Sequence, residues 1–476
     1  MTELKKYLVS GEWRSGSDAF DVKSPYDSEV VARVASPTKD DVETAVQSAA
    51  DTFEESRKLP VYERAEALLH ISNRLKERGD EVAEVIAREG GKPIKWAKVE
   101  AARAVSTFRW AVEEVRREGG ELMRLDAEES LGPRMGYVRR FPLGPVLAIA
   151  PFNFPVNLVA HKMAPALAVG APVVIKPATK TPLGALLLGE LFTETDLPEG
   201  MCSVLPISGS QAGELAGDDR FKKISFTGST EVGWKLREMA PKKAVTLELG
   251  GNAGVIVHDD GDLDKAAQRV AFGGYYQAGQ SCISVQRVFV QEGVFEEFKT
   301  KLITEVEKLK TGDPMDSETD VGPVIDHDSL ERISQWVDEA VQGGAEVLTG
   351  GKREDPFYSP TVLARTKPQM KVRQQEIFGP VITVETYDTF ENAIAESNNS
   401  NYGLQAGVFT QDVNRLHQAW RDLQVGGVIA NDVSAFRADQ MPYGGTKDSG
   451  AGREGLRFAM EEMSELKILV VSHVPL

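Results

Sequence analysis

The sequence contains 476 residues, of which 41% are hydrophobic and 27% charged, the proportions of an ordinary soluble globular protein. A chain of this length exceeds what one hydrophobic core usually supports, so we expect two or three domains. The formal net charge is −17 and there is no basic run, which argues against nucleic acid and acidic membrane surfaces as partners.

The first 141 residues are predicted to form short strands followed by a group of helices. Residues 1–37 have the pattern of short strands and turns. Residues 121–141 are polar and irregular and become strand-like at 135–140, which is typical of a hairpin that projects from the body. Between them, apolar residues at helical spacing predict four helices, which begin near Thr38, Val61, Val82 and residue 96.

From residue 145 the pattern changes to a regular alternation of short apolar strands and helices. Five strands separated by helices indicate a parallel sheet with helices on both faces. Such sheets bind ligands at the carboxyl ends of their strands. The predicted strands are 145–150, 171–175, 203–207, 223–226 and 244–249.

A second alternating block begins with strand 254–257 and continues to strand 427–430, punctuated by glycine pairs. We therefore predict an α/β fold with two doubly wound parallel-sheet domains. The apolar C-terminal strand 465–471 is predicted to pair with the sheet edge of another subunit.

The sequence predicts a protein of a reducing compartment, the cytoplasm. Residues 1–11 lack an apolar stretch long enough for a signal peptide, and no segment approaches the length needed to span a bilayer. The two cysteines, Cys202 and Cys282, do not suggest a disulfide framework. The six histidines are scattered without a pair at metal-ligand spacing, so no structural metal is expected.

Two glycine-containing turns lead from predicted strands into helices, at Ser208–Gly213 and at Thr227–Gly233. Backbone N–H groups at such turns bind phosphate, and two of them on neighbouring strands favour a dinucleotide over ordinary tight turns. Lys176 follows strand 171–175 and could donate a hydrogen bond to a ribose or phosphate, although a solvated lysine would give the same pattern.

Three side chains could carry chemistry. Cys282 lies among small polar residues in Gly279–Ser284, so its thiol is a candidate nucleophile, whereas a core cysteine usually has apolar neighbours. Glu248 is flanked by leucines, and burial should raise its pKa towards that of a general base unless it forms an ion pair. Asn153 lies in a proline-flanked loop and could donate a hydrogen bond to an oxyanion.

Seven segments together match one family in order and spacing. They are PFNFP at 151–155, KP at 176–177, FTGSTEVG at 226–233, LELGG at 247–251, GQSC at 279–282, EIFGP at 376–380 and PYGGTK at 442–447. Across nearly its whole length the chain resembles the aldehyde dehydrogenase superfamily. Residues 155–158 and the Phe436-Arg437 loop resemble the subgroup that contains lactaldehyde and non-phosphorylating glyceraldehyde-3-phosphate dehydrogenases.

The resemblance implies that Cys282 adds to the aldehyde and that the Asn153 amide and the Cys282 N–H hold the oxyanion. Glu248 would then activate water to release the acid from a thioester. The resemblance also implies NAD or NADP, with Lys176 at the adenosine ribose and Glu376 at the nicotinamide ribose. The residues implied at the cofactor site are Ile149, Pro151, Phe152, Lys176, Thr179, Gly209, Gly228, Ser229, Val232, Leu249, Glu376 and Phe378.

The same resemblance implies a division into domains. Residues 1–120 and 142–249 would form the cofactor-binding domain, and residues 250–440 the catalytic domain. Residues 121–141 and 441–476 would form a small β oligomerisation element, giving a homodimer or homotetramer.

The chain departs from NAD-preferring relatives, which often have a glutamate three residues after the lysine of the cofactor site. Thr179 occupies that position and is followed by Lys180. A neutral hydroxyl beside a cation should tolerate the 2′-phosphate. We therefore expect NADP to be accepted, alongside NAD.

Arg103 and Arg437 are predicted to face the substrate tunnel, where two guanidinium groups would suit a small polar or anionic aldehyde. The alternative is that both form surface or inter-domain ion pairs. Relatives that bind a phosphate or phosphonate often have arginine immediately before the cysteine, so Ser281 argues against a phosphorylated substrate. The other residues predicted to line the tunnel are Phe154, Leu158, His161, Ile283 and Phe436.

Two other function classes stay open on the sequence. A coenzyme A-acylating semialdehyde dehydrogenase would transfer the acyl group to a thiol, and the presence of Glu248 favours water instead. A non-catalytic structural protein on the same fold would not need Cys282, Glu248 and Asn153 together.

Overall fold

The computed structural model describes residues 4–472, which form two large sheets with helices packed against them. The helices of this part of the chain are α1 Lys39–Ser56, α2 Val61–Glu77, α3 Gly79–Gly90, α4 Ile94–Arg117, α5 Asn157–Val169, α6 Leu183–Thr193, α7 Gly209–Gly217, α8 Thr230–Met239, α9 Leu263–Tyr275, α10 Phe295–Glu307, α11 His327–Gln342, α12 Lys371–Gln374, α13 Phe390–Asn398, α14 Val413–Asp422 and α15 Leu456–Glu462.

The strands divide among six sheets. They are β1 Leu4–Lys5, β2 Tyr7–Val9, β3 Glu12–Arg14, β4 Ala19–Lys23, β5 Val30–Ala35, β6 Glu121–Arg124, β7 Arg134–Pro142, β8 Val146–Ile149, β9 Val173–Lys176, β10 Cys202–Val204, β11 Lys223–Thr227, β12 Ala244–Glu248, β13 Ala253–Val257, β14 Val285–Gln291, β15 Glu346–Thr349, β16 Arg353–Glu354, β17 Phe357–Tyr358, β18 Thr361–Ala364, β19 Val381–Tyr387, β20 Tyr402–Gly403, β21 Gln405–Phe409, β22 Gly427–Ala430, β23 Thr446–Lys447, β24 Gly450–Ala451 and β25 Ser464–Ser472.

The first large sheet has the strand order β24-β12-β11-β8-β9-β10-β2-β3. Its five central strands are parallel and are the five that the sequence predicts. The antiparallel β2 and β24 extend it on either side. Because β8, β9 and β10 are buried, their residues are mostly apolar rather than alternating between apolar and polar.

The second large sheet has the order β15-β18-β19-β14-β13-β21-β22 and is parallel except for β15. The prediction of two doubly wound sheets is confirmed. The sequence analysis missed β18, a buried strand of only four residues without a helix before it. Short apolar runs of this kind give a weak signal in the sequence alone.

Helix α5 is the central packing element of the first half of the chain. Every one of its 13 residues is buried, including His161 and Lys162. Helix α1 begins as predicted at Thr38, whose hydroxyl accepts a hydrogen bond from the Asp41 N–H, while Asp41 accepts from the Thr38 N–H. This reciprocal capping satisfies two N–H groups that the helix would otherwise leave free.

A third sheet, β25-β7-β6, is formed from the segments assigned by resemblance to oligomerisation. Strand β25 pairs along its whole length with β7 of the same chain. Residues 450–451 of the assigned C-terminal segment pair with β12 instead, and residues 473–476 lie outside the described part of the chain. Between residues 4 and 472, none of the helices combines the length and apolar character needed to cross a bilayer.

Candidate active site

The loop that carries Cys282 is held by close backbone contacts on two sides. After α9 the chain passes through Gln277, Ala278 and Gly279 with φ of 57°, 53° and 69°. A β-carbon at Gly279 would lie 2.0 Å from the Gly379 carbonyl oxygen, and one at Gly251 would lie 2.0 Å from the Cys282 carbonyl oxygen. Left-handed backbone at non-glycine residues persists where the surroundings enforce it, as they do here.

The sulfur of Cys282 is half-buried and lies 3.1 Å from the Tyr443 hydroxyl. Burial raises the pKa of the Cys282 thiol to about 12, although the Tyr443 hydrogen bond opposes the shift. The neighbouring carboxyls of Glu376 and Glu248 also disfavour the thiolate. The thiol of the free protein is therefore neutral near pH 7. Cys202, by contrast, is fully buried in the core.

Glu248 is the last residue of β12 and is only 2% exposed. Neither of its carboxyl oxygens has a hydrogen-bond partner among the described residues. Burial, and then the charge of Glu454, raise the pKa of Glu248 well above its ordinary value. The direction predicted from its leucine neighbours is confirmed. A β-carbon at Gly444 would lie 2.9 Å from Glu248 Oε1, so a glycine is required beside this carboxyl group.

Glu454 provides a fixed negative charge near Glu248. Its carboxylate accepts hydrogen bonds from Lys162 Nζ at 2.9 Å and from an Arg437 Nη at 3.0 Å. Burial opposes ionisation, but Lys162 and Arg437 outweigh it and hold the pKa of Glu454 well below its ordinary value. The sequence analysis missed this cluster. A lysine within the otherwise apolar α5 was the signal that could have pointed to it.

Asn153 follows β8 and lies against the cysteine loop. Its Nδ2 donates a hydrogen bond to the Gln280 carbonyl oxygen at 2.9 Å, while its Oδ1 is buried and has no partner in the described part of the chain. An amide nitrogen carries two hydrogens, so the second remains available to an oxyanion near Cys282.

A cleft of about 370 Å³ opens at the carboxyl ends of β8, β9 and β11. A β-carbon at Gly209 or Gly213 would meet nothing within 4 Å, so the N-terminal turn of α7 opens onto free space. Backbone N–H groups at such a terminus suit the pyrophosphate of a dinucleotide. Eight of the predicted cofactor residues line this cleft: Ile149, Pro151, Phe152, Lys176, Thr179, Gly209, Gly228 and Val232.

The other four predicted cofactor residues lie outside the lining of that cleft. Ser229 is the N-cap of α8, and Leu249 packs against Gly233. Glu376 accepts a hydrogen bond from the Gly251 N–H at 2.7 Å, and burial raises the pKa of Glu376 to about 7. Phe378 has a φ of 45° and meets the Phe152 ring edge-on at 5.9 Å. The contacts of Glu376 with Gly251 and of Phe378 with Phe152 place these two residues near the loop that carries Cys282.

Lys180 is not the free cation that the sequence analysis expected beside Thr179. Its ammonium group forms an ion pair with Asp326, which caps α11. The Asp326 carboxylate therefore neutralises part of the positive charge next to the cleft. Lys176 keeps its place at the cleft, and burial lowers its pKa.

A second cavity, of about 220 Å³, lies between α4, α9 and the loop before residue 437. Arg103, Phe154, Phe436 and Arg437 line it. Both arginines also form the ion pairs that were the alternative, Arg103 with Asp439 at 2.8 Å and Arg437 with Glu454. The Nε atoms of both arginines are buried and have no hydrogen-bond partner between residues 4 and 472. The sequence analysis missed Lys92, Trp96, Val99, Glu100, Arg269, Phe272, Tyr276 and Ala435 in this lining.

Four of the residues that the sequence analysis links to the substrate are not part of the lining of this cavity. Leu158 is a buried residue of α5, and Ile283 packs with Leu404 and Tyr443. Ser281 accepts a hydrogen bond from the Tyr276 hydroxyl at 2.9 Å.

His161 is the fourth of these residues and is buried 3.1 Å from Asp439, the partner of Arg103. Burial, and then the charge of Arg437, lower the pKa of His161 to about 4. A neutral His161 therefore contacts Asp439, the partner of Arg103, and is not part of the cavity lining.

His258, Asp259 and Asp260 form a group whose possible ligand atoms lie within 4.8 Å of one another. The Asp260 carboxylate already accepts hydrogen bonds from Thr410, from two backbone N–H groups and from Arg415. Nδ1 of His258 lies 2.7 Å from the Tyr387 hydroxyl. Protein partners occupy this group, and we assign no metal to it.

The two sheets, the glycine-lined cleft, the half-buried cysteine and the buried glutamate fit an enzyme that oxidises aldehydes. The profile of the aldehyde dehydrogenase family matches residues 13–469, and the chain belongs to that family. It is therefore an oxidoreductase that uses NAD or NADP, and the open N-terminal turn of α7 fits such a cofactor.

The chain is 43% identical over 475 residues to the 3-sulfolactaldehyde dehydrogenase of Priestia aryabhattai, covering 99% of both chains. It is 36% identical over 470 residues to the lactaldehyde dehydrogenase of Methanococcus aeolicus, covering 98% of this chain and 99% of that one. The predicted subgroup is thus confirmed.

Two solved structures are similar over nearly the whole chain. Aldehyde dehydrogenase 21 from Physcomitrella patens, in complex with the reaction product succinate, gives a TM-score of 0.98 at 43% identity and covers 100% of this chain and 99% of that one. Glyceraldehyde-3-phosphate dehydrogenase GapN from Methanocaldococcus jannaschii, complexed with NADP, gives 0.92 at 36% identity, with 96% and 99% covered.

Proposed function

We propose that the protein oxidises a small aldehyde with a terminal anionic group to the carboxylic acid. Cys282 is the nucleophile, Glu248 is the base that activates water, and Asn153 holds the oxyanion. The observation that carries this proposal is the buried carboxyl group of Glu248, which has no hydrogen-bond partner among the described residues and lies near the half-buried thiol of Cys282. Burial of a carboxyl group without a hydrogen-bond partner lowers the stability of the fold, and its raised pKa suits a general base.

The reaction begins when Cys282 loses its proton and its sulfur bonds to the aldehyde carbon. The oxygen of this thiohemiacetal accepts hydrogen bonds from Asn153 Nδ2 and the Cys282 N–H. A nicotinamide cofactor held in the cleft beside Lys176 and Gly209 would supply the acceptor for the hydride of that carbon. Glu248 then removes a proton from water as the water oxygen attacks the thioester, and the acid and the Cys282 thiolate separate.

Replacement of Glu248 by glutamine tests this assignment. The amide cannot accept a proton, so one equivalent of cofactor per site should be reduced rapidly, while steady turnover falls by about 10²–10⁴-fold. Because burial raises the pKa of Glu248, wild-type hydrolysis should also accelerate with rising pH, over a range well above the ordinary pKa of a glutamate. Stopped-flow absorbance of the reduced cofactor measures both phases.

Glu89→Gln is the matched control. Glu89 is also fully buried, with a pKa raised to about 8 by burial, but it accepts hydrogen bonds at the start of α6. Its variant should keep wild-type turnover. Steady turnover by Glu248→Gln at the wild-type rate would contradict the proposal. Formation of a coenzyme A thioester, with no free acid, would establish the acylating alternative.

The charges around the 220 Å³ cavity support an anionic substrate. Lys92, Arg103, Arg269 and Arg437 line it, against the single carboxylate of Glu100. The Arg103 side chain is 25% exposed, so its guanidinium group can still donate to an anion in the cavity. The similar enzyme of Priestia aryabhattai is named for 3-sulfolactaldehyde and the Physcomitrella structure holds succinate, and both compounds are anionic. We propose a sulfonate or carboxylate as the terminal group.

Arg103→Gln should raise KM for succinic semialdehyde by about 10–100-fold, since one hydrogen bond to a charged group is lost. KM for the neutral lactaldehyde should change by less than about threefold, because only the anionic substrate uses the charge. Arg109→Gln is the control on the same helix, since Arg109 is 61% exposed and pairs with Glu113. Equal losses with both aldehydes in steady-state assays would exclude Arg103 as the anion-binding group.

We propose that both NAD and NADP are accepted, with the preference set around Thr179. This residue lines the cleft without a carboxylate to repel a 2′-phosphate, although the ion pair with Asp326 restrains the neighbouring Lys180. A wild-type KM for NADP a hundredfold or more above that for NAD would exclude this proposal.

Thr179→Glu should raise KM for NADP by about tenfold or more through charge repulsion, and leave KM for NAD nearly unchanged. Thr179→Gln has a similar size without the charge and should preserve both values. Initial rates with each cofactor measure the effect. Similar losses in the two variants would show that size, rather than charge, governs this position.

We also propose the domain division 1–120 with 142–249 for the cofactor and 250–440 for catalysis, and a homodimer or homotetramer built on the third sheet. Exposed apolar residues of β25 support the assembly: Leu466, Ile468, Leu469 and Val470. Sedimentation velocity measures the mass in solution. The two free thiols fit a reducing compartment, and we propose the cytoplasm.

A further inference from the structure

The hydroxyl group of Tyr443 lies 3.1 Å from the sulfur of Cys282, and the reaction described above gives it no task. Tyr443 is buried, and its backbone exchanges two hydrogen bonds with Glu454, at 3.0 and 2.7 Å. The ring packs beside Ile283 and Leu404. Its position relative to the sulfur is therefore fixed by the backbone and by packing.

The guanidinium group of Arg437 lies over the Tyr443 ring, 3.8 Å from the centroid. A cation over an aromatic face is attracted by the ring and draws its electron density, which makes the phenolic hydrogen a better donor. Burial and the nearby Cys282 raise the pKa of Tyr443 well above its ordinary value. The hydroxyl group therefore keeps its proton throughout the pH range of the enzyme.

A hydroxyl can donate a hydrogen bond to a thiol or accept one from it, but to a thiolate it can only donate. A hydrogen bond to the charged form stabilises that form. The charged groups near the sulfur have opposite effects: Glu376 and Glu248 disfavour the thiolate, and Arg437 favours it. Tyr443 is the neighbour whose hydroxyl lies within hydrogen-bond distance of the sulfur.

We propose that Tyr443 is a catalytic residue whose hydroxyl donates a hydrogen bond to the Cys282 thiolate. It acts when the thiol loses its proton before attack on the aldehyde, and again when the thioester breaks and the sulfur leaves with the electron pair. The departing proton of the thiol goes to solvent or Glu248, while Tyr443 retains its own. This proposal rests on the proposed role of Cys282 as the nucleophile.

Tyr443→Phe removes the hydroxyl and keeps the ring under Arg437. The rate at which iodoacetamide alkylates Cys282 in the free protein reports the thiolate fraction and should rise with pH in every variant. In Tyr443→Phe the curve should move by about one pH unit to higher values, a tenfold slower reaction at fixed pH. Mass spectrometry of the Cys282 peptide measures the rate.

Tyr275→Phe is the matched control, because Tyr275 is also fully buried and its hydroxyl donates to the Thr361 carbonyl rather than to the sulfur. Its alkylation curve should coincide with that of the wild type. In steady state, Tyr443→Phe should lower kcat with little change in KM for the aldehyde. An unmoved alkylation curve in Tyr443→Phe, or an equal displacement in Tyr275→Phe, would overturn the proposal.

An error in the proposed role of Cys282 would give a different result from an error in the role of Tyr443. If Cys282 were not the nucleophile, Cys282→Ser would retain turnover with the aldehyde. Loss of turnover in Cys282→Ser, together with an unmoved curve in Tyr443→Phe, would reject the role of Tyr443 alone. Circular dichroism and the melting temperature establish that the variants compared are folded.

Discussion

The burial of Glu248 without a hydrogen-bond partner is the constraint on which the site depends. An isolated carboxylate in an apolar environment would simply stay protonated. Here Lys162 and Arg437 supply two positive charges against the single negative charge of Glu454. Ionisation of Glu248 would bring this group of four to neutrality. The cluster thus permits a buried glutamate to lose its proton while burial keeps it a strong base.

The same cluster ties the base to the rest of the molecule. Lys162 comes from the fully buried α5, Glu248 from the edge of the parallel strands, and Glu454 from the segment before α15. Arg437 has three contacts of consequence: it pairs with Glu454, covers the Tyr443 ring and lines the substrate cavity. Its charge therefore acts on the base, on the group beside the nucleophile and on an anionic substrate at once.

Much of this arrangement follows from local sequence. The alternation of apolar strands and helices predicts the parallel strands, because buried strands and amphipathic helices leave periodic patterns. The leucines around Glu248 predict its burial and its raised pKa, and the small residues around Cys282 predict an accessible thiol. These inferences need only neighbouring residues. The structure has the raised pKa of Glu248, and it leaves Cys282 half-buried.

What the sequence does not reveal depends on contacts between distant segments. Lys162 and Glu454 are 292 positions apart, and Lys180 and Asp326 are 146 apart. No periodic pattern records that Glu454 faces the base, or that Asp326 restrains the cation beside Thr179. For the same reason the sequence does not reveal that His161, predicted at the tunnel, contacts Asp439 and is absent from the cavity lining.

The central claim is that the acyl group is carried by Cys282 and released by Glu248. The most direct measurement is the intact mass of the Glu248→Gln protein, quenched with acid after mixing with aldehyde and oxidised cofactor. The account predicts a mass increase of one acyl group, located on the peptide that contains Cys282. Cofactor reduction without an adduct at Cys282, or with an adduct on another residue, would contradict it.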